Sequence, residues 1–378
     1  MIDPDSAPLP PLTAIPADIH TLADYERHAG GHIAPATWAH IQSGAGAEQS
    51  LADNRTQFDR FFLMPRALRD LSEASTRTPL FGHAHAAPIL LAPIAYHRLV
   101  HVEGELATMG AATALDSSMI VSTLSSVPLE QIAEAAFAAT QALGRAETPP
   151  LWFQLYFQPS RDHTLELVRR AEAAGYQILV VTVDAAIKRS EFTLPDGVDA
   201  ANLRAMPKMR HASSATGGHI VFGTPLAQAA PTWADIDWLR SQTSLPIVIK
   251  GLLSPDDAAM ALDHGADGLI VSNHGGRVMD GLLPPMEALP AIAARVDGRC
   301  PILLDSGVRT GTDVLKAIAL GASAVLVGRP QLHALAVAGV AGVAHMIHML
   351  RAELELAMAQ VGAASIADID ASLLVRRN

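Results

Sequence analysis

The chain has 378 residues, 49% hydrophobic and 17% charged, which excludes a disordered polyelectrolyte and is ample for a large core. Acidic residues outnumber Lys and Arg 38 to 27, a formal charge of −11, which argues against a protein that holds nucleic acid or anionic lipid through its overall field. The single cysteine, Cys300, excludes an intrachain disulfide framework and a multi-cysteine metal centre, and fits a reducing, cytoplasmic setting.

Residues 1–20 are rich in proline and have neither a basic start nor an apolar stretch, so they read as a flexible arm rather than a secretory signal. The remainder, 21–378, reads as one domain whose first part is a helical extension. Eight short apolar runs follow, at 88–95, 119–123, 151–157, 177–184, 246–251, 268–273, 301–307 and 324–330. Helix-like segments such as 160–174, 255–264 and 311–320 lie between them, and several open on Ser or Thr next to an acid. Runs that are apolar throughout suit parallel strands buried on both faces. Eight of them predict a (β/α)₈ TIM barrel, and the core from 88 to 330 is close to the roughly 250 residues usual for that fold. A doubly wound sheet is the competing architecture; no G-x-G-x-x-G follows the first run.

The fourth and fifth runs are separated by about 60 residues, where a crossover needs far fewer. The part at 190–231 is rich in Gly, Pro, Ala, Ser and Asn and is expected to be a long lid loop over the barrel mouth, a passive insertion being the alternative. The stretch 330–350 has no charged residue, but it holds three histidines and two glycines and reads as a buried helix rather than a membrane span.

In a parallel barrel the chemistry sits where the strands end. Here those ends carry Gln154 and Tyr156, Thr182 and Asp184, Lys250, Ser272-Asn273-His274, Arg277, Asp305 and Arg309, and Gly328-Arg329. The turn 305–311 (DSGVRTG) before a helix, together with Gly328 and two arginines, suits a phosphate dianion. His274-Gly-Gly-Arg277 places an imidazole, a natural base, beside a guanidinium that can grip a carboxylate, with Asp184 available to orient the ring. Lys250 admits three readings: Schiff-base nucleophile, fixed cation beside an anionic cofactor, or simply the end of a strand.

The segments 271–277 (VSNHGGR), 305–316 (DSGVRTGTDVLK) and 319–330 (ALGASAVLVGRP) resemble the signatures of the FMN-dependent 2-hydroxy-acid oxidases and dehydrogenases. So do 91–95 (LAPIA), 101–105 (HVEGE), 152–156 (WFQLY), 181–184 (VTVD) and 248–251 (VIKG). The likeness runs from about residue 24 to the C-terminus, and 92–105 is most similar to 4-hydroxymandelate-oxidase-like members.

The resemblance implies FMN across the barrel mouth. Pro93, Ile94 and Ala95 would meet the ring through backbone, and Ser125, Gln154, Thr182 and Ser272 would serve its polar edge. Lys250 would stabilise the anionic reduced flavin, and Asp305, Gly307, Arg309, Gly328 and Arg329 would hold ribityl and phosphate. His274 would be the base, Asp184 its partner, Arg277 the carboxylate clamp, and Tyr156 a hydrogen-bond donor to the substrate. No metal is expected. The carboxylate-binding tyrosine usual in the family is replaced by His40, and the loop after Asp184 lacks the usual Arg-Arg pair, leaving Arg189 as the second carboxylate contact.

The expected activity is oxidation of an (S)-2-hydroxy acid, mandelate-like or lactate-like, to the 2-oxo acid, with oxygen or another electron acceptor as second partner and no nucleic-acid or membrane partner. By the same resemblance the chain is expected to form a homo-oligomer, a tetramer. The alternatives are an FMN barrel of another class, such as an isomerase, a lysine aldolase, or a flavin binder without turnover.

Overall fold

Three helices precede the first barrel strand: α1 (Leu22–His32), α2 (Pro35–Gln42) and α3 (Gln49–Thr56). Thr21 and Asp24 close a capping box at the start of α1, satisfying amides that a helix N-terminus leaves open. The computed structural model describes residues 7–186, 192–206, 221, 222, 224, 227 and 230–377. Of the arm expected to be flexible, residues 7–20 are tied down: the Leu9 amide donates to Gly31 and the Leu12 amide to Val337.

Eight strands follow: β1 (Ile89–Leu91), β2 (Ile120–Ser122), β3 (Trp152–Leu155), β4 (Ile178–Thr182), β5 (Ile247–Leu252), β6 (Gly268–Val271), β7 (Ile302–Leu304) and β8 (Ala324–Val327). Consecutive strands from β2 to β8 pair in parallel, and β8 pairs with β1. A parallel bridge between Leu91 and Met119, with the Leu91 amide 2.9 Å from the Ser118 carbonyl, joins β1 to β2 and closes the ring. The fold is a (β/α)₈ TIM barrel. All strands but β5 are shorter than their apolar runs, which continue into the loops: β1 stops at Leu91, before Pro93, and β7 at Leu304, before Asp305.

Alternation along the strands divides the apolar residues between two cores, as a period of two requires. Leu90, Ile120, Trp152, Val180, Val248, Ile270, Leu303 and Leu326 fill the barrel. Their neighbours, such as Leu91, Val121, Phe153, Val181, Ile249, Leu304 and Val325, face the helices. The two-stranded ribbon Thr78–Leu80 with His83–His85 plugs the barrel at one end, where Phe81 meets Trp152 edge-on at 5.2 Å.

The outer helices are α4 (Glu105–Ala114), α5 (Leu129–Ala142), α6 (Arg161–Ala173), α7 (Trp233–Gln242), α8 (Pro255–Asp263), α9 (Pro285–Val296), α10 (Gly311–Ala319) and α11 (Arg329–Val361). The uncharged stretch 330–350 lies in α11, which is long and apolar enough to cross a membrane. It leaves helical geometry at Ala338 and Gly339, its apolar window is 72% buried, and it packs on α1, α4 and α10. Most of the expected lid, 190–231, falls outside the described residues; the part at 192–206 turns back against the end of β2, where Asn202 Nδ2 bonds to the carbonyls of Ser122 and Thr123.

α3 lies directly on two site loops. A Cβ on Gly276 would fall 2.7 Å from the Leu51 amide, and one on Gly307 would fall 1.9 Å from the Asn54 carbonyl oxygen. Gly307 also has φ +91. Gly307→Ala should therefore cost about 2–4 kcal/mol of stability in a urea titration. Gly82→Ala, at φ +80 with no atom within 4 Å of the added carbon, should cost roughly 1 kcal/mol.

Candidate active site

Lys250, in β5, is 4% exposed, and its ammonium lies 2.9 Å from Asp305 Oδ2 and 2.8 Å from Ser272 Oγ. Burial alone would pull the Lys250 pKa down; the carboxylates of Asp305 and Asp184 outweigh it, and the net shift is upward. Lys250 is therefore a fixed buried cation, not a neutral amine, and the Schiff-base alternative loses its chemical basis.

Asp184 follows β4, and its Oδ1 is 2.9 Å from His274 Nδ1. Gly251 makes room for it: a Cβ there would sit 2.5 Å from Asp184 Cγ. Burial pushes the Asp184 carboxyl up, but Lys250 and His274 outweigh that, so its pKa is lowered. A carboxylate at this distance accepts the Nδ1–H, which fixes the imidazole tautomer and ring plane. The Asp184 Oδ2 oxygen is buried with no hydrogen-bond partner among the described residues. Tyr156, one residue past β3, is half-buried, and burial followed by the Asp184 charge raises its phenol. The phenol therefore stays a donor.

At the same end of the barrel Gln154 Nε2 and Thr182 Oγ1 are buried with no hydrogen-bond partner among the described residues. Gln154 Oε1 accepts from Ser122 Oγ at 3.1 Å, whereas Ser125 is turned away, donating to the Val127 carbonyl and accepting from Asn202 Nδ2. Ser122, the last residue of β2, is the hydroxyl that meets Gln154, whereas Ser125 lies beyond the strand and holds the Asn202 turn. The strand end itself was the available signal. Pro93, Ile94 and Ala95 form the half-buried loop after β1. Behind them the fully buried Glu105 carboxylate accepts from the amides of His97 and Ser126 and from Ser126 Oγ.

The phosphate end differs from expectation at one point. The opening amides of α10 are already satisfied: Asp313 accepts from Arg309 and Thr310, and Glu353 from Gly311. Asp313 is itself held by Arg55 of α3 at 2.6 and 3.0 Å. The anion-attracting features that remain are Gly328 at the start of α11 and three half-buried arginines, Arg277, Arg309 and Arg329. None of the three has a carboxylate within salt-bridge distance among the described residues. Burial depresses all three, and Arg329, next to Arg277 and Arg309, is lowered to about 9. The guanidiniums stay charged, and desolvation with no carboxylate partner among the described residues leaves positive charge that a dianion would neutralise.

Arg277 does not point freely at a substrate. Its terminal nitrogens donate to the carbonyls of His40, Ile41 and Ser43, and Arg329 shares the last two. The physical reason is that the end of α2 leaves carbonyls without intrahelical partners, and guanidiniums satisfy them. His40 in α2 stacks on Phe192, with ring centroids 4.1 Å apart and planes 12° from parallel. Arg189 lies outside the described residues. The unpartnered amide and hydroxyl, the fixed cation and the arginine nest fit the polar edge, the N1 side and the phosphate of FMN respectively.

A family model described as FMN-dependent dehydrogenase matches residues 29–376. The chain is 44% identical over 373 residues to an L-lactate oxidase of Nostoc sp., covering 96% of this chain and all of that protein. It is 43% identical over 356 residues to a 4-hydroxymandelate oxidase of Amycolatopsis orientalis, covering 92% and 95% of the two chains. Among solved structures, a mandelate oxidase with (S)-2-phenylpropionate superposes with a TM-score of 0.82 at 40% identity, covering 95% of this chain and 98% of that one.

Two outcomes test the site. FMN added to the apoprotein at a thousandfold excess over its Kd should stabilise it by about 4 kcal/mol. Riboflavin, which has no phosphate, should raise the melting temperature far less; equal shifts would remove the arginine nest from cofactor binding. Asp184 has a folded pKa below its unfolded value, so the stability it contributes is present above about pH 4 and is lost as pH falls through the folded value. Asp184→Asn should therefore be less stable than wild type at pH 7, with the gap closing on acidification in urea titrations.

Proposed function

The chain belongs to the FMN-dependent dehydrogenase family, an FMN-dependent 2-hydroxy-acid oxidase family, and from that premise we propose that it oxidises an (S)-2-hydroxy acid, mandelate-like or lactate-like, to the 2-oxo acid. The observation that carries the proposal is the His274–Asp184 pair, 2.9 Å apart and set beside the buried Lys250–Asp305 pair. FMN, when bound, supplies the acceptor for the substrate's α-hydrogen and its electron pair. His274 takes the hydroxyl proton at Nε2 while its Nδ1–H stays on Asp184, which stabilises the imidazolium. Tyr156 donates a hydrogen bond to the reacting oxygen. Arg277 holds the substrate carboxylate with N–H groups left over from the α2 carbonyls, since a guanidinium carries five. Arg189 is a second carboxylate contact and His40 forms the pocket wall. The flat His40–Phe192 stack favours an aryl side chain over a methyl group.

Among the cofactor contacts, Pro93, Ile94, Ala95, Gln154, Thr182, Lys250 and Ser272 serve the ring. Asp305, Gly307, Arg309, Gly328 and Arg329 serve the ribityl phosphate. Oxygen is the second substrate, as the names of the oxidase relatives suggest, and the family resemblance and the single cysteine support a cytoplasmic homotetramer as the working form.

Loss of a positioned base lowers a rate by about 10²–10⁴. His274→Ala should stay yellow and lose that factor in anaerobic flavin bleaching by (S)-mandelate or (S)-lactate, with the (R)-enantiomers inactive on both proteins. A variant within tenfold of wild type would remove His274 from the mechanism. The same panel followed by oxygen consumption and by an artificial dye separates aryl from alkyl substrates and oxygen from other acceptors.

A further inference from the structure

The loop that carries His274 has three consecutive residues in left-handed geometry: His274 at φ +57, Gly275 at +67 and Gly276 at +72. The turn has one backbone bond of its own, from the Gly276 amide to the Asn273 carbonyl at 3.1 Å, and each of its amides is also met by a different side chain. The His274 amide donates to Ser272 Oγ at 3.0 Å, the Gly275 amide to Ser306 Oγ at 3.0 Å, and the Gly276 amide to Asn273 Oδ1 at 3.1 Å. Asn273 is locked by a reciprocal amide pair with Asn54 of α3, at 2.9 and 2.7 Å.

The other two anchors lead to one buried cation. Ser272 Oγ accepts from Lys250 at 2.8 Å. Ser306 Oγ donates to Asp305 Oδ1 at 2.8 Å, and the second oxygen of that carboxylate takes the Lys250 ammonium at 2.9 Å. Ser306 itself has φ +75, a conformation that glycine adopts without strain and a side chain resists. What a glycine could not supply is the hydroxyl, the only group at this position able to accept from Gly275 and donate to Asp305 together.

We propose that Ser306 is a positioning residue, whose hydroxyl couples the His274 loop to the Lys250–Asp305 ion pair and so holds the base in register with the cation. The proposal rests on His274 being the base, and goes beyond it by assigning the strained serine a role in the reaction without contact with the substrate. A serine present only for packing would give a different result when replaced by glycine.

The test compares Ser306→Gly and Ser306→Ala in the FMN-loaded protein. Glycine removes both the strain and the hydroxyl; alanine keeps the strain and removes only the hydroxyl. Ser306→Gly should melt at or above the Ser306→Ala temperature. Both should lose about tenfold in the limiting rate of anaerobic flavin reduction, with the half-saturating substrate concentration unchanged, as expected for one lost charge-assisted hydrogen bond. Amide exchange at Gly275 should accelerate in both. A Ser306→Gly protein that reduces within twofold of wild type, or whose Gly275 exchange is unchanged, overturns the proposal; so does a glycine variant less stable than the alanine one. If His274→Ala showed that the base assignment fails, the exchange and melting comparisons would still decide whether Ser306 ties the loop to the ion pair.

Discussion

A lysine and an aspartate buried together at the mouth of the barrel, 2.9 Å apart, set the terms for everything around them. Neither charge could sit in that place alone, because an uncompensated ion inside a protein loses several kcal/mol of hydration. The pair is therefore wrapped in hydrogen-bond partners, and those partners belong to the site: Ser272 in front of the base, Ser306 beneath the loop, and Asp184 as a second negative charge that reaches His274. A parallel barrel makes this possible, because β4, β5, β6 and β7 deliver their ends to one rim from positions more than a hundred residues apart in the chain.

The second constraint is electrostatic in the opposite sense. Burial depresses three neighbouring guanidiniums, Arg277 and Arg309 lower Arg329 further, and the carbonyls at the end of α2, rather than carboxylates, meet Arg277 and Arg329. That leaves a net positive nest matched to a phosphate. It also makes the helical extension part of the site: α2 borrows its C-terminal cap from Arg277 and Arg329, while α3 lays Asn54 against the base loop and Arg55 against the α10 turn. The extension and the barrel rim thus share hydrogen bonds that neither can make alone, and the close approaches at Gly276 and Gly307 show how little space separates them.

Much of this is legible in the linear chain because parallel strands buried on both faces appear as apolar runs, and the polar residues toward the end of each run mark the rim. Gln154, Thr182, Asp184, Lys250, His274, Asp305 and Arg329 stand at such positions. A side chain's direction is not legible where it depends on contacts made far away in sequence. Ser122, at the end of β2, faces Gln154, while Asn202, remote in sequence, claims the Ser125 hydroxyl. The α10 amides looked open to an anion until Asp313 and Glu353 were seen to occupy them. Nothing in the local pattern around residue 54 or 306 marked either as a neighbour of the base.

By itself, then, the order of residues determined the strand count, the barrel, the rim positions and the kind of chemistry they carry, since those follow from periodicity and from where apolar stretches stop. Only the folded chain decided which charges pair, which guanidinium nitrogens are already taken, and which serine stands under the histidine. Pairing energies depend on separations of a few ångströms between segments remote in sequence, and such distances exist only once the barrel has closed.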